Sequence, residues 1–212
     1  MRPPCEDVRR ERAGQTMSEF LQALVVFFAI IDPIGNLIAF QAVVRGLEAR
    51  SRVTAALFST SAAFAILLLF AVTGTAILHY LGISLESFQV SAGLLLGITA
   101  VRLVERGEPF HPGAQPERSA AALALVPLAT PLLAGPGAIA TTVSFSHLLH
   151  RGPTIAAAAC ILALSAALFL AGNWLFEHLA APVLPVLSRI VGILLTAIAV
   201  NLVLGGLKSF FA

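Results

Sequence analysis

Polar residues that can bind a small charged solute interrupt the first long apolar stretch of this sequence, FFAIIDPIGNLIAF, at residues 27–40. Asp32 can pair with an ammonium group, bind a cation or carry a proton, and Asn36 can donate hydrogen bonds. Pro33 has no amide hydrogen and disfavours a helical conformation at the residue before it, so backbone carbonyls and amides are freed nearby. In lipid such groups need polar partners, which predicts a binding site at this interruption.

A second interruption of the same kind lies in PLATPLLAGPGAIATTV, at residues 127–143. The amide end of a half-helix that follows such a break carries partial positive charge and suits a substrate carboxylate. One kink of this type is more often structural, but two in matching places favour a functional site. The candidate substrate-binding residues are Asp32, Pro33, Gly35, Asn36, Pro131, Gly135, Pro136, Gly137 and Thr141.

The apolar stretches around these residues are long enough to cross a membrane. Of the 212 residues, 58% are hydrophobic and 11% are charged, whereas soluble domains carry about 25% charged residues. A spanning helix needs about 20 apolar residues, and the alternation expected of barrel strands is absent. The sequence therefore predicts an all-α polytopic membrane protein with six transmembrane helices. The predicted spans are 20–44, 54–78, 87–104, 120–147, 154–176 and 189–208.

The six predicted spans form two halves of three that resemble each other. Alignment of residues 90–104 with residues 189–203 gives seven identities in fifteen positions. Because three is an odd number, the second copy enters the membrane in the opposite orientation. This predicts two inverted three-helix repeats with broken first and fourth helices, as in many transporters. Residues 1–16 are predicted to be a disordered tail or a misassigned start before Met17. Residues 17–104 form the first repeat, residues 105–118 a cytoplasmic loop, and residues 119–212 the second repeat.

The distribution of basic residues predicts the orientation of the chain. Seven lie on one side and two on the other when residues 1–16 are left out. These are Arg45, Arg50, Arg52, Arg102, Arg106, Arg118 and Arg189 against Arg151 and Lys208. The positive-inside rule then puts both termini outside, although the four arginines of the tail would make the balance seven to six. The arginine- and alanine-rich composition favours a bacterial gene, so the predicted location is the bacterial inner membrane.

Catalysis and nucleic-acid binding find little support in this sequence. It has no HExxH, GxSxG or P-loop motif, so no enzyme activity is predicted. No basic patch accompanies the net charge of +2, so nucleic acid is not an expected partner. His79, His147 and His150 have no carboxylate or cysteine near them in sequence, and no metal site is predicted. Gly93 and Gly97 form a small-xxx-small pair that predicts helix packing rather than a binding site.

The two interrupted stretches, DPIGNLIAF (32–40) and PLATPLLAGPGAIATTV (127–143), resemble the signature stretches of the MarC-related family of bacterial and archaeal membrane proteins. The resemblance covers nearly the whole chain from Met17 onward. Many relatives are uncharacterised, and some are assigned as transporters of small neutral amino acids, so the resemblance implies that substrate class. The chain departs from the family pattern at Asp32, where relatives often have asparagine, and at Ile38, where they often have proline.

The sequence therefore predicts a transporter that works by alternating access, as one half rocks against the other, and the resemblance implies a small neutral amino acid as its substrate. No cofactor is expected beyond a coupling proton or sodium ion. The expected partners are the lipid bilayer and the small-molecule substrate, and a homo-oligomer is left open. Two other classes also stay open, namely a channel for a small solute and a non-transporting membrane scaffold whose breaks are only kinks.

Overall fold

The computed structural model describes residues 4–44, 47–106, 129, 133–178 and 183–211. Predictions that fall on other residues, including Pro131 and most of the 105–118 loop, lie outside the described part. That part is almost entirely helical and contains no strand. Its helices are α1 (Pro4–Ile31), α2 (Pro33–Val44), α3 (Ala49–Tyr80), α4 (Leu85–Arg106), α5 (Pro136–Leu148), α6 (Arg151–His178) and α7 (Val183–Phe211).

The predicted all-α membrane class is confirmed by these helices. Four stretches of the described chain are long and apolar enough to cross a membrane, and they correspond to the first, second, fifth and sixth predicted spans. These stretches are Gly14–Gln41, Ala49–Tyr80, Arg151–Gly172 and Gly192–Phe211. The inverted relation of the two halves stays a prediction, and so does the correspondence between the two helix breaks. α1 begins at Pro4, inside the predicted tail, and this tests neither the disorder nor the alternative start.

The first span lies at the centre of the bundle. In its most apolar window 67% of the residues are buried, against 17% for the corresponding window of α7. The ring of Phe40 on α2 stacks on Phe169 of α6, with 4.3 Å between the ring centroids. Phe27 on α1 meets Phe145 of α5 edge to face at 6.4 Å. Helices of the second half therefore surround the first span, whereas α7 turns most of its apolar surface outward.

Helices of the first half pack mainly on helices of the second half rather than on one another. α1, α2 and α3 all contact α6, α3 and α4 contact α5, and the largest contact of α4 is with α7. The two halves of the sequence are therefore interleaved in space. Neither half of the described chain forms a separate body with its own core.

The contact between α4 and α7 depends on glycine residues. A Cβ added to Gly93 would lie 2.8 Å from the Ala199 carbonyl oxygen, and one added to Gly206 would lie 2.8 Å from the Glu86 carbonyl oxygen. Small residues let two backbones approach in this way. The predicted packing role is confirmed for Gly93, whereas Gly97 is less crowded, because a Cβ there would lie 3.8 Å from the Ala199 Cβ.

We expect Gly93→Ala to lower the free energy of unfolding by about 1–3 kcal/mol, because its methyl group would overlap the backbone of α7. Gly97→Ala, one turn further along α4, is the matched control, since it adds the same methyl group at an ordinary contact distance. Both variants gain the same helix propensity. Thermal unfolding in detergent, followed by circular dichroism, measures the difference, and equal midpoints would contradict the close contact.

Candidate functional site

The candidate site is built around Asp32, where one helix ends and the next begins. α1 ends at Ile31 and α2 begins at Pro33. Between them Asp32 has a φ of 46°, in the left-handed region that aspartate tolerates better than most residues. Its N–H donates to the Phe28 carbonyl at 3.0 Å, and its own carbonyl accepts from the Asn36 N–H at 2.9 Å. The two helices thus stay linked by main-chain hydrogen bonds across the interruption.

The side chain of Asp32 caps the helix that follows it. Its Oδ1 accepts a hydrogen bond from the Gly35 N–H at 2.9 Å, which is the bond that an N-cap residue makes to the third helical residue. Gly35 leaves room for this carboxylate, because a Cβ at that position would overlap it. Pro33 fits the first helical position, where no N–H is needed. The N-terminus of α2 is therefore already capped by a carboxylate that belongs to the protein.

Asn36 satisfies a carbonyl group that the interruption leaves free. In a continuous helix the Ile31 carbonyl would accept from the Gly35 N–H, but that N–H is taken by Asp32. The Asn36 Nδ2 donates to the Ile31 carbonyl instead, at 2.5 Å. Because Asn36 is buried, water cannot donate to the Ile31 carbonyl in its place.

We expect Asn36→Leu to lower the free energy of unfolding by about 1–3 kcal/mol, because it leaves the buried Ile31 carbonyl without this donor. Thr142→Val is the matched control. The Thr142 hydroxyl is equally buried and donates at 2.7 Å to the Ala138 carbonyl, which also accepts the regular helical bond. Thermal unfolding in detergent should show the larger loss for Asn36→Leu, and a larger loss for Thr142→Val would contradict this assignment.

Two candidate residues hold buried oxygen atoms that have no hydrogen-bond partner among the described residues. These atoms are Asp32 Oδ2 and Thr141 Oγ1, and the side chain of Asp32 is 5% exposed and that of Thr141 1% exposed. A third such atom, Ser146 Oγ, lies further along α5. Leaving a buried polar group unpaired costs about 1–3 kcal/mol, so most such groups in proteins have partners. A polar ligand could supply them at Asp32 and Thr141.

The second interrupted stretch begins α5 beside the end of α1. Pro136 is the first helical residue, Gly135 before it is extended, and no side chain caps this helix. A Cβ on Gly137 would lie 3.3 Å from Ile30 Cγ2 and 2.7 Å from Leu96 Cδ1. The first turn of α5 therefore touches the last turn of α1. Pro131 lies outside the described residues, and its role stays a prediction.

Sequence analysis missed two polar contacts that join the halves. The Gln89 Nε2 donates to Ser144 Oγ at 2.9 Å, between α4 and α5. The Glu19 carboxylate lies 2.9 Å from His150 Nδ1. These partners are 55 and 131 residues apart along the chain, so no local pattern signals them. Ser144 lies one turn beyond Thr141 and extends the polar face of α5.

Comparison with known proteins identifies the family. A family profile described as MarC family integral membrane protein matches residues 17–211. The chain belongs to the MarC family. The resemblance of its two interrupted stretches is thereby confirmed, and this MarC protein is a multi-pass integral membrane protein.

The relatives of this MarC protein match it over most of their length. A UPF0056 membrane protein of Archaeoglobus fulgidus is 33% identical over 204 residues, which cover 91% of this chain and 94% of the relative. The UPF0056 membrane protein YvbG of Bacillus subtilis is 27% identical over 203 residues, which cover 92% and 96%. No solved structure matches the chain significantly. Within the described residues, no group of three or more metal-binding side chains is present.

Proposed function

We propose that this MarC protein transports small neutral amino acids and binds its substrate between Asp32 and the start of α5. The observation that carries the proposal is a pair of buried oxygens, Asp32 Oδ2 and Thr141 Oγ1, for which the described residues supply no hydrogen-bond partner. Each belongs to one of the two interrupted stretches, and the first turn of α5 lies against the last turn of α1. Paired interruptions of this kind are typical of substrate sites in transporters.

The charges at the helix ends favour a zwitterionic substrate. The start of α5 has partial positive charge and no side-chain cap, so it suits the carboxylate of an amino acid. The start of α2 is less suitable, because Asp32 already caps it. The end of α1 has partial negative charge, and Pro33 leaves the Ala29 carbonyl without its usual helical donor. Together with Asp32 Oδ2, this end suits the ammonium group.

The packing around the start of α5 favours a small side chain. Ile30 and Leu96 both approach Gly137 so closely that even an added Cβ would meet them. These neighbours are apolar, so they can form neither a hydrogen bond nor an ion pair with a charged side chain. Glycine, alanine and serine are therefore the best candidates, in agreement with the substrate class that the family resemblance implies.

The site is closed in this structure, since Asp32 and Thr141 are both buried. A substrate can reach them only if helices move, which favours alternating access over a continuously open channel.

The sequence suggests that one half of the chain rocks against the other, but the interleaved packing favours a different division into moving parts. The pair of α4 and α7 would move against α1, α2, α3 and α6. α3 packs on α6 and α4 on α7, so second and third spans pair with their counterparts, which supports the inverted repeat.

Uptake of radiolabelled alanine, glycine and serine into proteoliposomes tests the proposal. Protein-free liposomes give the background, and circular dichroism with size-exclusion chromatography establishes that the reconstituted protein is folded. We expect saturable uptake that excess unlabelled alanine suppresses and that an imposed proton or sodium gradient stimulates. Flux that does not saturate would favour a channel. No uptake of any of the three amino acids by folded protein would remove the assignment and favour a scaffold.

A further inference from the structure

An apolar groove runs along the outer surface between α4 and α7 and encloses about 620 Å³. The groove forms because the residues at the helix contact, Gly93, Gly97 and Ala199, are small. Exposed residues such as Leu94 and Leu204 flank it. Almost all of the lining is apolar. The groove is separate from the candidate substrate site, so its ability to bind a ligand does not depend on whether the protein transports amino acids.

Arg102 lies at one end of this groove, and Arg189 lies on α7 beyond the same end. Arg102 on α4 is part of its lining. Arg189 on α7 lies seven residues before Thr196, which also lines the groove, and two helical turns place both residues on the same face. Because α4 and α7 are antiparallel and Gly93 lies against Ala199 and Val203, Arg102 comes level with residues 190–194. Arg102 and Arg189 are thus about one turn apart.

Neither arginine pairs with an acidic group in the part of the chain that the structure describes. Both are exposed, and neither has an ion pair or a hydrogen bond with any described residue. Glu105, one turn beyond Arg102, is also exposed and does not pair with either of them. Two guanidinium groups without a partner among the described residues, close to an apolar groove, favour an anion that also carries an apolar chain.

We propose that this groove binds an anionic phospholipid, with its phosphate on Arg102 and Arg189 and one acyl chain along the groove. Guanidinium groups bind phosphate oxygens through paired hydrogen bonds. Basic pockets between membrane helices on the cytoplasmic side bind such head groups, and both arginines are predicted to lie on that side. A second copy of the chain fits less well, because a two-fold contact would set both arginines against those of the partner.

Native mass spectrometry of the purified protein tests this site. The protein is titrated with phosphatidylglycerol and with phosphatidylethanolamine of the same acyl chains. We expect tighter binding of phosphatidylglycerol. Arg102→Gln and Arg189→Gln should each weaken it about fivefold, and the double variant about 25-fold. Arg50→Gln is the matched control, because Arg50 is exposed on the same predicted side but lies on α3, away from the groove.

A groove variant tests the acyl chain separately from the charges. Gly97→Leu fills the groove, and the space around Gly97 accommodates the first added carbon, so binding of both lipids should fall while Gly97→Ala binds as the parent does. Equal affinity of the parent for the two lipids, or an equal loss in Arg50→Gln, would overturn the proposal. A dimer that Gly97→Leu dissociates would instead assign the groove to a second copy.

Discussion

Asp32→Asn is expected to abolish the stimulation of alanine uptake by an imposed proton or sodium gradient while saturable uptake persists. The asparagine side chain has an oxygen in the place of Asp32 Oδ1, which can still accept the Gly35 N–H. Asparagine also tolerates the left-handed conformation of this residue. What disappears is the carboxylate oxygen Oδ2, which is buried and has no hydrogen-bond partner in the described part of the chain, and with it the group that can bind a cation or carry a proton. The ratio of uptake with and without the gradient measures the effect.

Asp32→Ala separates the loss of charge from the loss of the helix cap. Alanine can neither bind a cation nor cap α2, and the loss of an N-cap costs about 1 kcal/mol. Alanine is also strained at a φ of 46°. We expect uptake to fall by about tenfold, which corresponds to about 1.4 kcal/mol. Parental stimulation in Asp32→Asn would exclude Asp32 as the coupling group, and parental uptake in Asp32→Ala would place the substrate elsewhere.

Gly35→Ala is expected to reduce uptake by at least about tenfold, or about 1.4 kcal/mol, in protein that still inserts and folds. Its methyl group would occupy the position of the Asp32 carboxylate. The carboxylate must then turn away, so that the cap on α2 is lost and Oδ2 leaves the position that it has in the structure. Gly205→Ala is the matched control, because a Cβ there has no neighbour within 4 Å. Initial rates of alanine uptake at equal protein content give the comparison.

A double-mutant cycle shows whether Gly35→Ala acts through Asp32. Its clash is with the aspartate side chain, so the substitution should lower the thermal unfolding midpoint of the parent but hardly change that of Asp32→Ala. Contacts between neighbouring residues are recognised by such non-additive effects. Equal losses in the two backgrounds would mean that Gly35 has a different role. Loss of membrane insertion together with loss of uptake would favour the scaffold.

Much of the candidate site could be predicted from local sequence. A proline within an apolar stretch kinks or breaks a helix, and a carboxylate there needs a polar partner. For this reason the residue pattern alone singles out Asp32, Gly35 and Asn36, and it correctly assigns Gly93 to helix packing. Gln89 and Ser144 were missed, because their hydrogen bond depends on which faces of α4 and α5 meet.

The membrane class, the places of most spans, the two interruptions and the family can all be read from the residues in order. They follow from composition and from the succession of apolar and breaking residues, which act along the chain. Three features instead required the folded chain. These are the interleaving of the two halves, the cap that Asp32 provides for α2 while the start of α5 has no side-chain cap, and the position of Arg102 at one end of a groove. The helices are apolar on nearly every side, so no hydrophobic face in the sequence specifies which surfaces pack together. Close packing between distant segments makes that choice.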